Sequence, residues 1–446
     1  MNSTRRTATA AKHSILLGLI AVLPGCVPFA EPLADDPLAG NVDMASVVAP
    51  AGFDFATSQP VRATVQLRSP NGQPAGLVPV TLYDAEPSEG GNALAYGVTR
   101  PDGSFAADVQ VPTDLNRLVA IAGHPSLTRP IALSIVNRTA SGAVAVVAPA
   151  FLISEEQVDG DRDGVADPTD AAPADPTIAF ESYAPARYVM NTIAFEDSWP
   201  AKGDYDYNDL IVDYNVRYLL NTNNMAQAIV VSFELRAAGA GQRNAFAFSL
   251  PIAASEVASV TGRRINSGLF PSLPTGVEAR QRRAVIIVTD DVNKQLPRPS
   301  GYLVNTQNAA PEVPPEMITI VVTFRNPVAP SALGSAPFDP FLIVNRIRGR
   351  EIHLADHAPT DLADVGLFST GDDDSRPATG RYYRTRNNLP SALVVPTNWD
   401  YPAETAQVTR GFLHFHEWAM SGGTAFTDWY SPTLGYRAPS QLYARR

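Results

Sequence analysis

The chain has 446 residues, too many for one hydrophobic core and enough for two or three packed units, and 45% hydrophobic residues supply the material for them. Its 45 acidic against 34 basic residues exclude the basic footprint of a nucleic-acid binder and make divalent cations natural partners. A single cysteine excludes an intramolecular disulfide and a cysteine-rich zinc site, so stability has to come from packing and from metals.

Arg5, Arg6 and Lys12 precede an apolar run from Ile15 to Leu23 that has the length of a signal-peptide core and is too short to cross a bilayer. Leu23-Pro24-Gly25-Cys26 follows it and resembles the bacterial lipobox. The resemblance implies cleavage after residue 25, diacylglyceryl transfer to the Cys26 thiol, and attachment to the membrane through acyl chains, each buried methylene adding about 0.8 kcal/mol. Val27 takes the place where aspartate marks inner-membrane retention, so the expected address is the outer membrane.

Residues 26–50 are rich in Pro, Ala and Asp without periodicity and are expected to form a flexible tether. Alternation then begins. Val61, Ala63, Val65 and Leu67 are followed by an Asn71-Gly72 turn and by Val78, Val80 and Leu82, which reads as a strand pair. Ala95–Thr99 and Phe105–Val111 flank Pro101-Asp102-Gly103 as a second hairpin, and Leu118–Ala122 and Ala143–Val147 complete a set of short strands. Residues 51–150 are therefore expected to form a small β-sandwich, similar to immunoglobulin-like or carboxypeptidase-regulatory-like modules.

Residues 151–180 carry the sharpest chemical pattern. Counting from Asp159, side-chain oxygens fall at loop positions 1, 3, 5, 9 and 12 (Asp159, Asp161, Asp163, Asp167, Asp170), Gly164 sits at the sharp turn and Val165 offers a carbonyl. This is a calcium-loop register, and without flanking amphipathic helices it resembles thrombospondin type 3 or dockerin-like repeats. Its five crowded carboxylates repel one another until a divalent ion lies among them, which would stiffen the joint between domains. The alternative is a solvated acidic linker.

Residues 181–446 are expected to form a larger β-rich domain, with strands at Arg187–Phe195, Leu210–Tyr218, Ala228–Leu235, Ala284–Thr289, Ile318–Phe324 and Phe341–Val344. Val408, Phe412, Phe415 and Ala419 share one face at helical spacing, and Gly422-Gly423 ends that C-terminal helix. Within this region Asp204, Asp206 and Asn208 alternate with Tyr205 and Tyr207, so an extended segment would put oxygens on one face and rings on the other. Glu196, Asp197 and Asp209 would complete a second calcium site; the alternative is a polar strand edge whose tyrosines pack on the core.

The segment Phe195–Tyr214 resembles the signature of the LruC domain of bacterial surface and periplasmic lipoproteins. Further matches are His353-Leu354 with Ala358-Pro359-Thr360-Asp361, Gly371-Asp372-Asp373-Asp374-Ser375, Tyr382-Tyr383 with Asn387-Asn388-Leu389-Pro390, and Trp418–Gly423 ending in Asp428-Trp429-Tyr430. The resemblance spans the chain beyond the tether and implies a cell-envelope address without supplying a reaction.

Motifs for catalysis are absent. His353 and His357 have the spacing of a zinc-binding pair, but the glutamate of His-Glu-x-x-His is missing and Pro359 discourages a helix. His414 and His416 lie two apart on the expected helix and read as solvated. The reading is a calcium-stabilised, non-enzymatic envelope lipoprotein that presents a binding, adhesion or structural face to a glycan, matrix or envelope protein. The alternative is a calcium-dependent polysaccharide hydrolase, which needs a carboxylate pair about 5 to 10 Å apart outside any metal cage. Trp199, Trp399 and Trp429 would form an aromatic binding patch if exposed, and otherwise pack in the core.

Overall fold

The computed structural model describes residues 42–123, 130–145 and 158–445. The signal peptide, Cys26, the tether up to residue 41 and the start of the acidic linker lie outside the described residues. The protein is mainly β, as expected. Seven strands build the first layer pair: β1 Ser58–Arg68, β2 Pro79–Tyr83, β3 Ala93–Val98, β4 Ser104–Pro112, β5 Arg117–Ala122, β6 Ile131–Val136 and β7 Thr139–Ala145. β1 pairs with β4 antiparallel and with β7 parallel, while β2 lies between β3 and β5. Val61, Val65 and Leu67 from one sheet meet Val80, Leu82 and Leu118 from the other in a common core.

Both expected hairpins are corrected by this pairing. Arg68 bridges Pro74 across the Asn71-Gly72 turn and the Arg100 amide donates to the Ser104 carbonyl across the Asp102-Gly103 turn, but the strands so joined, β1 with β2 and β3 with β4, do not pair with each other; each turn carries the chain from one sheet to the other. Alternation specifies which face of a strand is buried, and the same turn residues serve a hairpin and a sandwich crossing. Gly103 does need its positive φ of 78°, since a Cβ there would meet the Leu67 carbonyl at 2.3 Å.

Eleven further strands form the large domain: β8 Phe180–Ala184, β9 Asn191–Phe195, β10 Leu210–Leu220, β11 Ala226–Ala237, β12 Ala245–Ala253, β13 Val257–Thr261, β14 Arg283–Thr289, β15 Glu316–Val328, β16 Asp339–Ile343, β17 Glu351–His353 and β18 Ala392–Val395. The long β10 pairs with β11 on one side and with β9 and then β8 on the other. A bridge between Ala95 and Ser182 joins β3 to β8, so the sandwich sheet continues into the large one. A four-stranded sheet in the order β14-β12-β16-β17 packs over it, Phe233 on β11 meeting Phe246 and Phe248 on β12 with ring centroids 5.1 and 5.6 Å apart.

The other face of β9, β10 and β18 carries a third layer. Along β9 and β10, Ile193, Phe195, Leu210 and Val212 enter the core between sheets, whereas Ala194 and Ile211 turn to a cluster containing Trp399, Phe412, Phe415, Trp418 and Trp429. Strands buried on both faces read as continuous apolar runs, which these are. The expected C-terminal helix is two short pieces, α1 Val408–Gly411 and α2 Phe415–Met420, broken at Phe412 with φ −125° and ψ 99°. The break lets Phe412 stack on Trp399, with centroids 5.1 Å apart.

The N-terminal segment also belongs to this layer. Met44 and Val47 are fully buried and Phe55 is 4% exposed, against an expected tether through residue 50. Gln407 accepts from the Met44 amide at 3.0 Å, and Thr409 donates to the Val42 carbonyl at 2.6 Å. The aromatic layer would otherwise face water, and a segment without periodicity can still bury a few well-spaced apolar side chains.

Candidate functional site

The loop at 159–170 is wound around its own carboxylates. Asp159 accepts from the amides of Arg162 at 2.7 Å and Gly164 at 3.1 Å, Asp163 from Val165 at 2.8 Å, and Asp167 from Gly160 at 2.7 Å. Gly164 has φ 96°, which closes the turn. These bonds leave the second oxygens of Asp161, Asp163 and Asp170 buried without a partner, and one oxygen from each of Asp159, Asp161 and Asp163 lies within 4.8 Å of the others. Burial, reinforced by neighbouring aspartates, raises the Asp163 and Asp170 carboxyls. The donor set suits a hard cation of calcium size.

Position gives the loop mechanical meaning. Val165 is buried in the main core, and the Ala171 amide donates to the Ala179 carbonyl, which ties the loop to the start of β8. An ion here would fasten the sandwich to the large domain.

The second acidic cluster is a cage, reached by a route that differs from the alternation expected of it. Residues 204–208 are not a strand: Tyr205 and Tyr207 take φ of 64° and 53°, and these tyrosines enter the aromatic layer. The coiled path turns Glu196, Asp204 and Asp206 toward one point, where one oxygen of each lies within 4.8 Å of the others. Asp197 and Asp209 are in contact, the Asp197 amide donating to Asp209 at 2.7 Å. Asp206 accepts from the amides of Asn208 at 3.0 Å and Thr405 at 2.8 Å.

Two oxygens in this cage have no hydrogen-bond donor. Glu196, 2% exposed, uses Oε1 on the Tyr207 amide and leaves Oε2 unpartnered; Asn208, fully buried, donates its Nδ2 to the Pro402 carbonyl and leaves Oδ1 unpartnered. Leaving such groups unmet costs on the order of 1 to 3 kcal/mol each. Burial, with Asp204 beside it, pushes the Glu196 carboxyl up to about 8, and burial also drives Asp206 and Asp209 well above the usual range. Carboxylates so crowded fit a bound divalent cation.

Glu404 adds its charge beside the cage and was not found by sequence spacing. It arrives on the segment before α1, accepts from Thr306 Oγ1 at 2.7 Å, and is pushed up to about 7 by burial, with Asp204 and Asp197 adding to it. It lies about 200 residues along the chain from Glu196, Asp204 and Asp206, and no local motif marks it.

The remaining candidates are structural. Trp199, Trp399 and Trp429 are all buried and form no surface patch. His353 is fully buried, its ring nitrogens 2.8 Å from Asp339 and 2.9 Å from Glu351, and stacks on Phe341. His357 joins it only through Asp339, at 3.1 Å. His414 is half-buried rather than solvated, stacked on Phe426 and bonded to Glu417. A cleft of about 480 Å³ between the two domains contains two carboxylates, Asp54 and Asp339, and His353 already engages the second.

Two family models match the chain. Residues 224–430 match DUF4842 and residues 59–143 match DUF8469. Both are domains of unknown function. A crystal structure of a candidate lipoprotein from Bacteroides ovatus is similar in fold, with a TM-score of 0.54 and 13% identity over 83% of this chain and all of the other. A 9R-lipoxygenase from Cyanothece aligns over 40% of each chain with 13% identity and a TM-score of 0.15, too low to carry any argument. No curated protein matches the chain.

Proposed function

We propose that this protein is a calcium-loaded envelope lipoprotein of the LruC type, held to the outer membrane through Cys26 and acting by binding or adhesion rather than by catalysis. The observation that carries the calcium reading is the Glu196 cage, in which one oxygen each of Glu196, Asp204 and Asp206 converge within 4.8 Å and the buried Glu196 Oε2 has no donor. The 159–170 loop supports it with its own three unpartnered oxygens. The lipobox and the fold shared with a candidate lipoprotein support the envelope address.

Calcium in the cage would fasten the C-terminal segment carrying Glu404 to the β9–β10 connection, and calcium in the loop would hold the two domains at a fixed angle. The product is a rigid body at the end of a short tether, suited to presenting a face to a glycan, matrix or envelope protein. The acidic residues are committed as ligands, which disfavours a hydrolase.

Thermal unfolding of protein stripped of metal and then titrated with calcium tests this reading. A rise in Tm of several degrees is expected, because a ligand at about 100 times its Kd contributes about 2.7 kcal/mol per site and each kcal/mol moves the Tm of a chain this long by roughly 1 °C. Superimposable melting curves with and without calcium would refute it.

A further inference from the structure

We propose that the cleft between the two domains is a binding site for a small acidic saccharide, with Arg138 and Arg283 drawing its carboxylate and with His357 and Asp54 accepting from its hydroxyls. The proposal rests on the reading of the protein as a binding module and gives that module a site and a ligand class.

The cleft, of about 480 Å³, falls within the roughly 300 to 1,000 Å³ of small-molecule sites. Separate parts of the chain assemble it. Arg138 comes from the β6–β7 turn of the sandwich, Arg283 and Asp339 from the starts of β14 and β16, His357 from the coil after β17, and Asp54 from the N-terminal segment.

His357 is aimed by a buried relay. The fully buried His353 imidazole sits between two carboxylates, with Glu351 Oε2 at 2.9 Å and Asp339 Oδ1 at 2.8 Å, and therefore donates from both ring nitrogens. Burial opposes the charge on Asp339, but the two histidines hold its carboxyl well below the usual range, so Oδ1 also accepts from His357 Nδ1, at 3.1 Å. A carboxylate behind an imidazole fixes its tautomer and orientation. His357, half-buried, is left with Nε2 as a hydrogen-bond acceptor for whatever occupies the cleft.

Arg138 gives an independent sign. Val136 pairs with Thr139, so Asn137 and Arg138 alone make the turn, with φ of 49° and 61°. Turns of this kind favour Asn-Gly, and an arginine in the glycine place is strained. Strain of this sort gathers at binding sites, and here it falls on a residue that lines the cleft.

Neither Arg138 nor Arg283 has an ion-pair partner among the described residues; Asp361, whose charge reaches Arg283, is held by Arg282 Nε at 2.9 Å. Unpaired guanidiniums favour a ligand with a carboxylate, which they grip through parallel N–H bonds. Asp54 repels a bare anion, and it shares with His357 Nε2 a demand for hydroxyl donors. A uronic acid meets both requirements in one molecule.

Cellobiouronate and cellobiose differ only by one carboxylate and form the test pair, titrated calorimetrically into the full calcium-loaded chain in detergent. The acid should bind at least about tenfold more tightly than cellobiose or inorganic phosphate, and Arg283→Gln and His357→Ala should each weaken it by about tenfold. Arg138→Gly should weaken binding as much while raising the Tm, because glycine suits the turn; a lower Tm with unchanged affinity would overturn the role given to Arg138. Equal affinities for the acid and for cellobiose would overturn the acidic ligand. Tighter binding of a glutamate-terminated peptide would overturn the saccharide in favour of a protein partner. Failure to bind any of these probes, in protein whose Tm still rises with calcium, would overturn the cleft as a site and spare the calcium-loaded scaffold.

Discussion

The Glu196 carboxylate occupies the space that a side chain on residue 203 would need, its Oε2 lying 1.9 Å from the Cβ position of Gly203. Gly203 also has φ 67°, so two demands for glycine meet at one place, one from the backbone and one from the cage.

Gly203→Ala is therefore expected to displace Glu196 and weaken calcium binding at least tenfold, equivalent to about 1.4 kcal/mol. Gly90→Ala is the matched control, since Gly90 has φ 90° but its Cβ would meet nothing within 4 Å. That variant should show only the left-handed backbone penalty of about 1 to 2 kcal/mol, with calcium affinity unchanged. Equal affinities for the two variants would contradict the placement of Glu196.

Asp161→Asn with Asp163→Asn separates repulsion from ligation in the first loop. Without calcium the double variant should melt higher than the parent, because burial and neighbouring charge penalise ionised Asp163 and Asp170. With calcium the order should reverse, as the variant lacks two charged ligands. Scanning calorimetry in chelator and in millimolar calcium reads both signs.

His353 sets a pH dependence that is independent of metal. Burial opposes its charge, but Asp339 and Glu351 overcome this and push the imidazole up to about 9. A raised histidine contributes stability fully present below its unfolded value of about 6.5 and lost as pH climbs through 9, about 3 kcal/mol in all. Urea denaturation between pH 6.5 and 9 should show that decline, and His353→Gln should flatten it while destabilising the protein at pH 6.5. The same slope in the variant would assign the titration elsewhere.

The N-terminal segment gives a packing test. Phe55 meets Phe53 at 4.4 Å and Trp418 at 5.7 Å between ring centroids, and Met44 is fully buried. Phe55→Ala and Met44→Ala should each cost about 2 to 5 kcal/mol in urea denaturation. A tether in this stretch would give changes near zero.

What the sequence disclosed and what it hid follow a physical line. Local patterns are the legible part: the first strands are set by neighbours in the chain, as are the spacings of the acids at 159–170 and from Glu196 to Asp209. Pairing is not, since Asn71-Gly72 and Asp102-Gly103 turn the chain equally well within a sheet or between sheets. β12 also escaped notice, as Ala245–Leu250 is buried on both faces and shows no alternation. Tyr205 and Tyr207 hid the cage geometry by taking positive φ, which residue type does not reveal. Glu404 and the burial of Met44 depend on contacts between residues 98 and 363 positions apart, beyond the reach of spacing rules.

The most direct measurement is an anomalous difference map from crystals grown in millimolar calcium, with data collected at long wavelength. The account predicts peaks inside the Asp159–Asp170 loop and between Glu196, Asp204 and Asp206, each surrounded by oxygens at 2.3 to 2.6 Å, roughly the calcium range. A well-ordered cage holding only water, with no anomalous signal, would contradict it.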